Sequence, residues 1–412
     1  MLLAALLEPA TPDFSSALLE EVESLVAEIG RLEGRISEGL GHVIRPLFRA
    51  AHTHHSLYIE DRPSTLAELS AASAPLPPGP ERDRDADLRA SIELLHWLHD
   101  GDGRRLATTD PTSPALIRAL HARYYNHLSP GARALRIADS GRVVDVNPGE
   151  WREEDVTVGT HVGPSPSDLE SLMARWGERF DPLRAANSAE RLLLTVAGHH
   201  RLLYIHPFRD GNGRVARFAF DASLIAIGLD AKGSWTPSRG FARARTRYYD
   251  ALMAADAERR HSTDGRGARS MEGLVRWTRF VLDVIRDQVR FIDALLEPRA
   301  LHARVRTALH ATFESTVAKR ASATRLVLAA WELGPLSRGA LVEASGVPDR
   351  SARRIIAELL AAGWLRASTG PDARTSPVVG GLPLNRAPIV FPDLFLPEAS
   401  VMFPSPTLHR TA

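Results

Sequence analysis

Apolar residues recur every three or four positions from Phe14 to about Leu47, at Leu18, Val22, Leu25, Val26, Ile29 and Leu32, with acids on the other face. That period predicts an amphipathic helix. A second apolar segment runs from Leu57 to Leu69, and Ala74–Pro80 then carries an S-A-P-L-P-P-G-P composition suited to extended loop. Helical spacing returns at Leu88–Leu98, Pro114–His127, Ser167–Phe180, Ala189–Ile205 and Val215–Ile227. Further helices fit Ala242–Ala257, Met271–Leu296 and Leu301–Thr316. Between Arg142 and Pro166 the spacing fails, and V-V-D-V with V-T-V-G-T-H-V reads as a short hairpin set in loop. The body is therefore expected to be mainly α.

After Lys319 the texture changes. Leu326–Leu333, Ser337–Ala344 and Asp349–Leu360 make three short helices with a tight turn at Gly346 between the last two. G-W-L-R-A and the loop P-D-A-R-T follow, which suits a β-wing, so residues 321–382 read as a winged helix-turn-helix. The remainder, 383–412, is rich in Pro and Phe without helical spacing and reads as an irregular tail.

Composition narrows the chemistry. At 412 residues the chain exceeds what one core usually fills, and 44% apolar with 25% charged residues places it among soluble globular proteins. A net charge of +1 gives no global field for nucleic acid or anionic lipid. The absence of cysteine excludes disulfides, thiolate metal sites and a cysteine nucleophile. The opening M-L-L-A-A-L-L is short and lacks a basic region, and no run is long enough to span a bilayer, so a cytoplasmic protein with no membrane partner is expected. His52, His54, His55, His199 and His200 cluster without an accompanying cysteine or fixed carboxylate and read as structural, with no zinc expected.

Candidate chemistry concentrates at residues 206–217, H-P-F-R-D-G-N-G-R-V-A-R. Gly211, Asn212 and Gly213 permit the cramped backbone that turns successive N–H groups towards one anion, at the start of a helix whose dipole adds attraction. Arg214 and Arg217, three apart, project from one helical face towards the same charge. Asp210 is a hard oxygen donor suited to Mg²⁺. His206, with an ordinary pKa near 6.5, keeps a neutral fraction able to take a proton from an attacking hydroxyl. Phe208 should anchor the loop in the core.

This stretch resembles the Fic family signature HxFx(D/E)GNGRxxR at every fixed position. The segment 149–166, G-E-W-R-E-E-D-V-T-V-G-T-H-V-G-P-S-P, is similar to the family's flap, which holds a target backbone as an added strand; Val156, Thr157, Val158 and Gly159 are its docking residues. R-T-R-Y-Y-D-A-L at 245–252 is similar to the family's Tyr-Tyr helix, placing Tyr248 and Tyr249 near adenine. S-L-Y-I-E-D at 56–61 resembles the inhibitory motif (S/T)xxxE(G/N), with Asp61 departing at the last position.

The resemblance implies a Fic-type helical bundle with a small hairpin flap. It also implies a protein adenylyltransferase that moves AMP from Mg-ATP to a Ser, Thr or Tyr hydroxyl of a target protein. His206 is then the general base and Asp210 the magnesium ligand; Gly211, Asn212 and Gly213 cradle the phosphates, Arg214 and Arg217 contact them, and Ser56 and Glu60 restrain the enzyme. The expected order is an N-terminal helical region 1–110 carrying the inhibitory motif, a catalytic core 111–300, a linker helix 301–320, the winged helix and the tail. Kinases of the Doc type carry lysine in place of part of G-N-G-R; this chain does not. Arg350, Arg353 and Arg354 open the recognition helix of the winged module, where DNA binding, dimerisation into a homodimer and protein docking all fit. The other reading of the whole chain is a DNA-binding regulator whose Fic domain senses nucleotide without catalysis.

Overall fold

The structure is a computed structural model that describes residues 5–12, 15–74, 83–136, 143–159, 161–311, 317–367 and 376–395. The proline-rich stretch 75–80, the expected wing loop 371–375 and the tail beyond 395 lie outside them.

The helix expected from Phe14 to Leu47 is two, α1 (Ser16–Gly34) and α2 (Glu38–Ile59). Two capping serines set the starts: Ser15 accepts from Leu18 N–H and Ser37 from Leu40 N–H, each at 3.2 Å. The apolar period runs through the break, which is why pattern alone joined them. Next come α3 (Leu66–Ala72), closed by a Thr65–Glu68 capping box, α4 (Asp83–Asp100) and α5 (Asp102–Thr109). α6 (Pro114–Asn126) and α7 (Pro130–Arg133) lead to two antiparallel pairs, β1 (Ala134–Arg136) with β2 (Val143–Asp145) and β3 (Thr157–Val158) with β4 (His161–Val162). Then follow α8 (Leu169–Arg179), α9 (Ser188–Ile205) and α10 (Asn212–Ala226). The helix expected over Ala242–Ala257 is again two, α11 (Pro237–Arg243) and α12 (Arg245–Asp256), followed by α13 (Met271–Leu295) and α14 (Pro298–His310).

α10 lies at the centre. Val215, Ala216, Phe218, Ala219, Phe220, Ala222, Leu224 and Ile225 are all buried, so it is enclosed on every side, by α9, α5 and α6 among others. α13 buries one long stripe that includes Leu274, Trp277, Val281, Ile285 and Ile292, and Trp277 donates to Val196 O of α9 at 2.9 Å. Buried residues from Leu7 to Phe395 form one continuous core, so helices on both sides of residue 110 pack together.

The last third contains α15 (Val317–Leu333), α16 (Arg338–Ser345) and α17 (Asp349–Ala361), then the antiparallel pair β5 (Leu365–Ala367) and β6 (Val378–Gly380), and α18 (Ala387–Val390). Gly346 ends α16 in the left-handed region, and Leu336 pairs with Val378 as a third position beside the ribbon. This unit rests on α2: α15 and β6 both pack against it, and Ser37 Oγ donates to Trp331 O at 3.1 Å. The chain then crosses α2 again, where His55 Nε2 donates to Leu394 O at 2.8 Å and Phe395 meets the His54 ring edge-on.

The clustered histidines are interior. His199 Nδ1 donates to Ala216 O at 3.0 Å, joining α9 to α10, and His54 Nδ1 lies 3.0 Å from Ser64 Oγ. Burial lowers His54 and His99 to about 4 and His199 to about 3. In the unfolded chain these rings take protons near pH 6.5, so between there and the folded values the unfolded state binds more protons. Their contribution is complete above pH 6.5 and is lost as pH falls, by about 2 kcal/mol for each ring at pH 5. Urea midpoints should therefore drop steadily from about pH 7 to 5; a level midpoint across that window would contradict neutral burial of the rings.

Candidate active site

The site is built where α9 stops and α10 starts. His206 caps α9 in the left-handed region, φ 50° and ψ 60°, an unusual conformation for a side chain with a Cβ and a mark of functional sites. Five residues later Gly211, at φ 78°, turns the chain into α10, and no side chain caps that end. The loop between is fixed from inside: Asn212 Oδ1 accepts from Phe208 N–H at 2.8 Å and its Nδ2 donates to Phe208 O at 2.7 Å. Phe208 is buried and stacks on His121 at 3.9 Å. His121 in turn accepts from Gly149 N–H at 2.8 Å and donates through Nε2 to Asp210 O at 3.3 Å.

His206 Nδ1 lies 3.3 Å from Leu203 O. A carbonyl only accepts, so Nδ1 carries the proton and Nε2 keeps its lone pair. Desolvation, with His161 nearby and Arg152 behind, lowers the imidazole to about 4, so it is neutral at physiological pH. That is the protonation state a base requires.

Two arginines of α10 are buried at the site. Arg214 donates to Tyr124 Oη and Tyr125 Oη, each at 2.8 Å, and to Asp210 Oδ2 at 2.9 Å, with Asp87 Oδ1 at 3.6 Å. Tyr125 also donates to Asp210 Oδ2 at 2.7 Å, and Tyr124 to Asp87 at 2.7 Å. Burial opposes the charge on Arg214, but these phenols and carboxylates outweigh it and hold its pKa well above the ordinary value. Arg217 donates from Nε to Ser56 Oγ at 2.8 Å, and from Nη2 to Ser56 O at 3.1 Å and Glu60 Oε1 at 2.8 Å.

Glu60 ends α2 directly over the first turn of α10: a Cβ added to Gly213 would stand 2.3 Å from Glu60 Oε1. The helix end keeps this shape although Asp61 stands where Gly or Asn is usual. Asp61 adopts the left-handed φ of 58° that asparagine and aspartate tolerate, and Arg245 holds its carboxylate at 2.7 Å.

The structure thus brings together His206, Asp210, Gly211, Asn212, Gly213, Arg214, Arg217, Ser56 and Glu60. Tyr249 borders them, donating to Ile59 O at 3.0 Å, and Tyr248, buried among Phe241, Trp277 and Phe280 with its hydroxyl 3.4 Å from His199 Nε2, also faces Arg217. The hairpin carries Thr157 and Val158 on β3, Val156 before it and Gly159 in its turn, with Val158 and Val162 exposed; Thr160 lies outside the described residues. Arg350, Arg353 and Arg354 lie apart on α17, where Arg353 pairs with Asp349 at 2.7 Å and Arg354 with Glu358 at 3.1 Å. Sequence reasoning missed Asp87, Tyr124, Tyr125, His121 and Arg152. The adjacent tyrosines of α6 were a visible feature of the sequence; Asp87, within a run of alternating charges, carried no signal at all.

The family model described as the Fic/DOC family matches residues 111–224. The chain carries a Fic/DOC family domain. Around this Fic domain the chain is 34% identical over 207 residues to "Protein adenylyltransferase Fic" of Drosophila ananassae and 27% identical over 207 residues to that of Drosophila grimshawi. Each match covers 50% of this chain but only 36% and 38% of those proteins, so the chain spans well under half their length. Among solved structures, a Fic family protein from Desulfovibrio desulfuricans aligns over 90% of this chain and 98% of its own, with TM-score 0.47 and 19% identity. Fic-1 from C. elegans aligns over 68% of this chain and 72% of its own, with TM-score 0.47 and 17% identity. No described helix is long and apolar enough to cross a membrane.

Asp87 is the test of how the Fic domain's arginines are held. Asp87→Asn should cost about 2–3 kcal/mol, because it weakens the charged hydrogen bond from Tyr124 and removes the ion pair with Arg214 in the interior. Arg62→Ala, which removes its half-exposed partner, should cost under about 1 kcal/mol. Urea denaturation of both variants measures the difference, and equal losses would mean that Asp87 serves Arg62 and not Arg214.

Proposed function

We propose that this protein is a protein adenylyltransferase, transferring AMP from Mg-ATP to a Ser, Thr or Tyr hydroxyl of a target protein, and that Glu60 restrains it. The observation that carries the reading is the pairing of a neutral His206, its Nε2 lone pair uncommitted to Leu203, with an uncapped helix start flanked by Arg214 and Arg217. A nucleotide sensor needs the phosphate site but no base.

In this reading the triphosphate lies along the first turn of α10, where backbone N–H groups and the two guanidinium groups face its charge. Among the described residues no group of three or more His, Asp or Glu side chains could hold an ion by itself. Asp210, whose Oδ2 also accepts from Arg214 and Tyr125, would offer one carboxylate to a Mg²⁺ that takes most of its oxygens from phosphate and water. When bound, that ion supplies charge neutralisation on the phosphates. His206 Nε2 takes the proton of the target hydroxyl as its oxygen attacks the α-phosphorus. The bond from the α-phosphorus to the bridging oxygen breaks, and pyrophosphate leaves. The hairpin β3–β4, with its exposed valines, offers an edge on which a target backbone could add as a strand.

Glu60 fits the restraint because its carboxylate holds Arg217 and stands over Gly213, where the γ-phosphate would otherwise be received. It both occupies the guanidinium and repels the triphosphate. No comparable observation favours a DNA-binding regulator: of the three arginines at the start of α17, Arg353 and Arg354 are paired with Asp349 and Glu358.

His206→Ala should abolish transfer of label from α-labelled ATP to protein in a lysate while calorimetry shows Mg-ATP affinity within about threefold of the parent. Labelling at the parental rate would remove His206 as the base. Glu60→Gly should raise self-labelling or target labelling about tenfold or more, and Arg217→Ala should not reproduce the gain, since it also deletes a phosphate contact. Labelling by Glu60→Gly no faster than the parent, with His206→Ala inactive, would leave an enzyme that is not restrained from this position.

A further inference from the structure

The hairpin β3–β4 and the loop that begins at His206 come from separate parts of the chain, yet they meet through one side chain. Arg152 is buried, 4% exposed, and all three of its guanidinium nitrogens are used on carbonyls. Nε donates to His206 O at 2.8 Å, Nη1 to Glu154 O at 2.8 Å and Nη2 to Pro164 O at 2.5 Å. Its own N–H donates to Pro207 O at 2.9 Å. Glu154 and Pro164 are the two sides of the hairpin's neck, so the guanidinium plane bridges that neck and fastens it to the carbonyl of His206. The fit is close: a Cβ added to Gly163, beside the neck, would come within 3.0 Å of Arg152 Nη2.

His206 needs such a partner. In the left-handed conformation its carbonyl points away from the helix it terminates, and a buried carbonyl without a donor costs about 1–3 kcal/mol. Arg152 supplies the donor from the hairpin side. The hairpin makes two further attachments near by, His161 Nε2 to Tyr204 O at 2.8 Å and the ion pair of Arg209 with Glu154. Neither of these bonds is made to His206 itself, although the His161 ring lies near its imidazole.

We propose that Arg152 is a positioning residue that locks the target-holding hairpin and the catalytic histidine into one body, so that a backbone bound along β3–β4 presents its hydroxyl at a fixed place relative to His206 Nε2. This rests on the reading of His206 as base and of the hairpin as the target's dock. Only arginine suits the position. Its planar fork addresses three carbonyls in three directions, whereas the ammonium of lysine is a point donor that cannot span the neck.

The experiment uses the full chain carrying Glu60→Gly, with self-labelling from α-labelled ATP as the probe. Adding Arg152→Ala should cut labelling about 100-fold, the scale expected when a reacting group is misplaced by an ångström, while leaving Mg-ATP affinity by calorimetry unchanged. Arg152→Lys should remain about as impaired as alanine, and added guanidinium ion should restore a measurable part of the alanine variant's activity but none of that of His206→Ala. Amide hydrogen exchange should quicken together at residues 153–163 and 203–206 in Arg152→Ala and nowhere else. Labelling within about twofold of the parent, or exchange that quickens in the hairpin alone, would overturn the proposal. If Glu60→Gly does not label at all, the fault lies with the reading beneath it, and the exchange measurement still decides whether Arg152 joins the two segments.

Discussion

Two guanidinium groups buried one turn apart on α10 set the terms for everything around them. Removing a cation from water costs several kcal/mol unless acceptors surround it. The fold meets this requirement with two distinct shells. Arg214 is met from α6 and α4 by Tyr124, Tyr125 and Asp87, and from its own loop by Asp210. Arg217 is met from α2 by Ser56 and Glu60. Of the elements packed around α10, α6, α4 and α2 thus each deliver an oxygen to one of these charges, which keeps both arginines ionised beside an uncapped helix end.

The difference between the shells matters. The Arg214 shell is assembled from side chains tied to one another, Tyr124 to Asp87 and Tyr125 to Asp210, so its members restrain each other's positions. The Arg217 shell contains one carboxylate, at a helix terminus. Exchanging that carboxylate for a phosphate oxygen replaces one anion by another on the same guanidinium, which leaves the rest of the core undisturbed. The Glu60–Arg217 contact can thus be exchanged without unfolding anything.

Legibility in the sequence followed from how local each feature is. The loop at 206–217 could be singled out directly because the candidate donors, base and oxygen ligand lie within twelve residues and are placed by neighbouring backbone. The broad helical plan was readable from spacing, and α13 matches its expected limits within one residue. The breaks were not: Arg35–Ser37 interrupts a continuous apolar period, and only a capping serine, easily taken for a surface residue, marks the restart of the chain as α2. Asp87, His121 and Arg152 were invisible for another reason. Their partners lie between 28 and 127 residues away, at Gly149, His206 and Arg214, and nothing in their immediate sequence differs from an ordinary surface acid, core histidine or loop arginine. Glu60 was readable only through its resemblance to an inhibitory motif, and the Asp61 mismatch proved compatible because aspartate can hold the turn when Arg245 fixes its carboxylate.

α2 has one further consequence, for anyone who cuts the chain. Its first half is covered by α15 and β6, with Gly380 laid against Val43 and Trp331, and its second half is met at His54 and His55 by Phe395 and Leu394. A fragment stopped before Val317 would bare an apolar flank of the helix that delivers Ser56 and Glu60 to Arg217. Trimming to the recognisable domain would therefore loosen the support of the Glu60–Arg217 contact as well as shorten the chain, so a property measured on such a fragment would belong to a differently braced molecule.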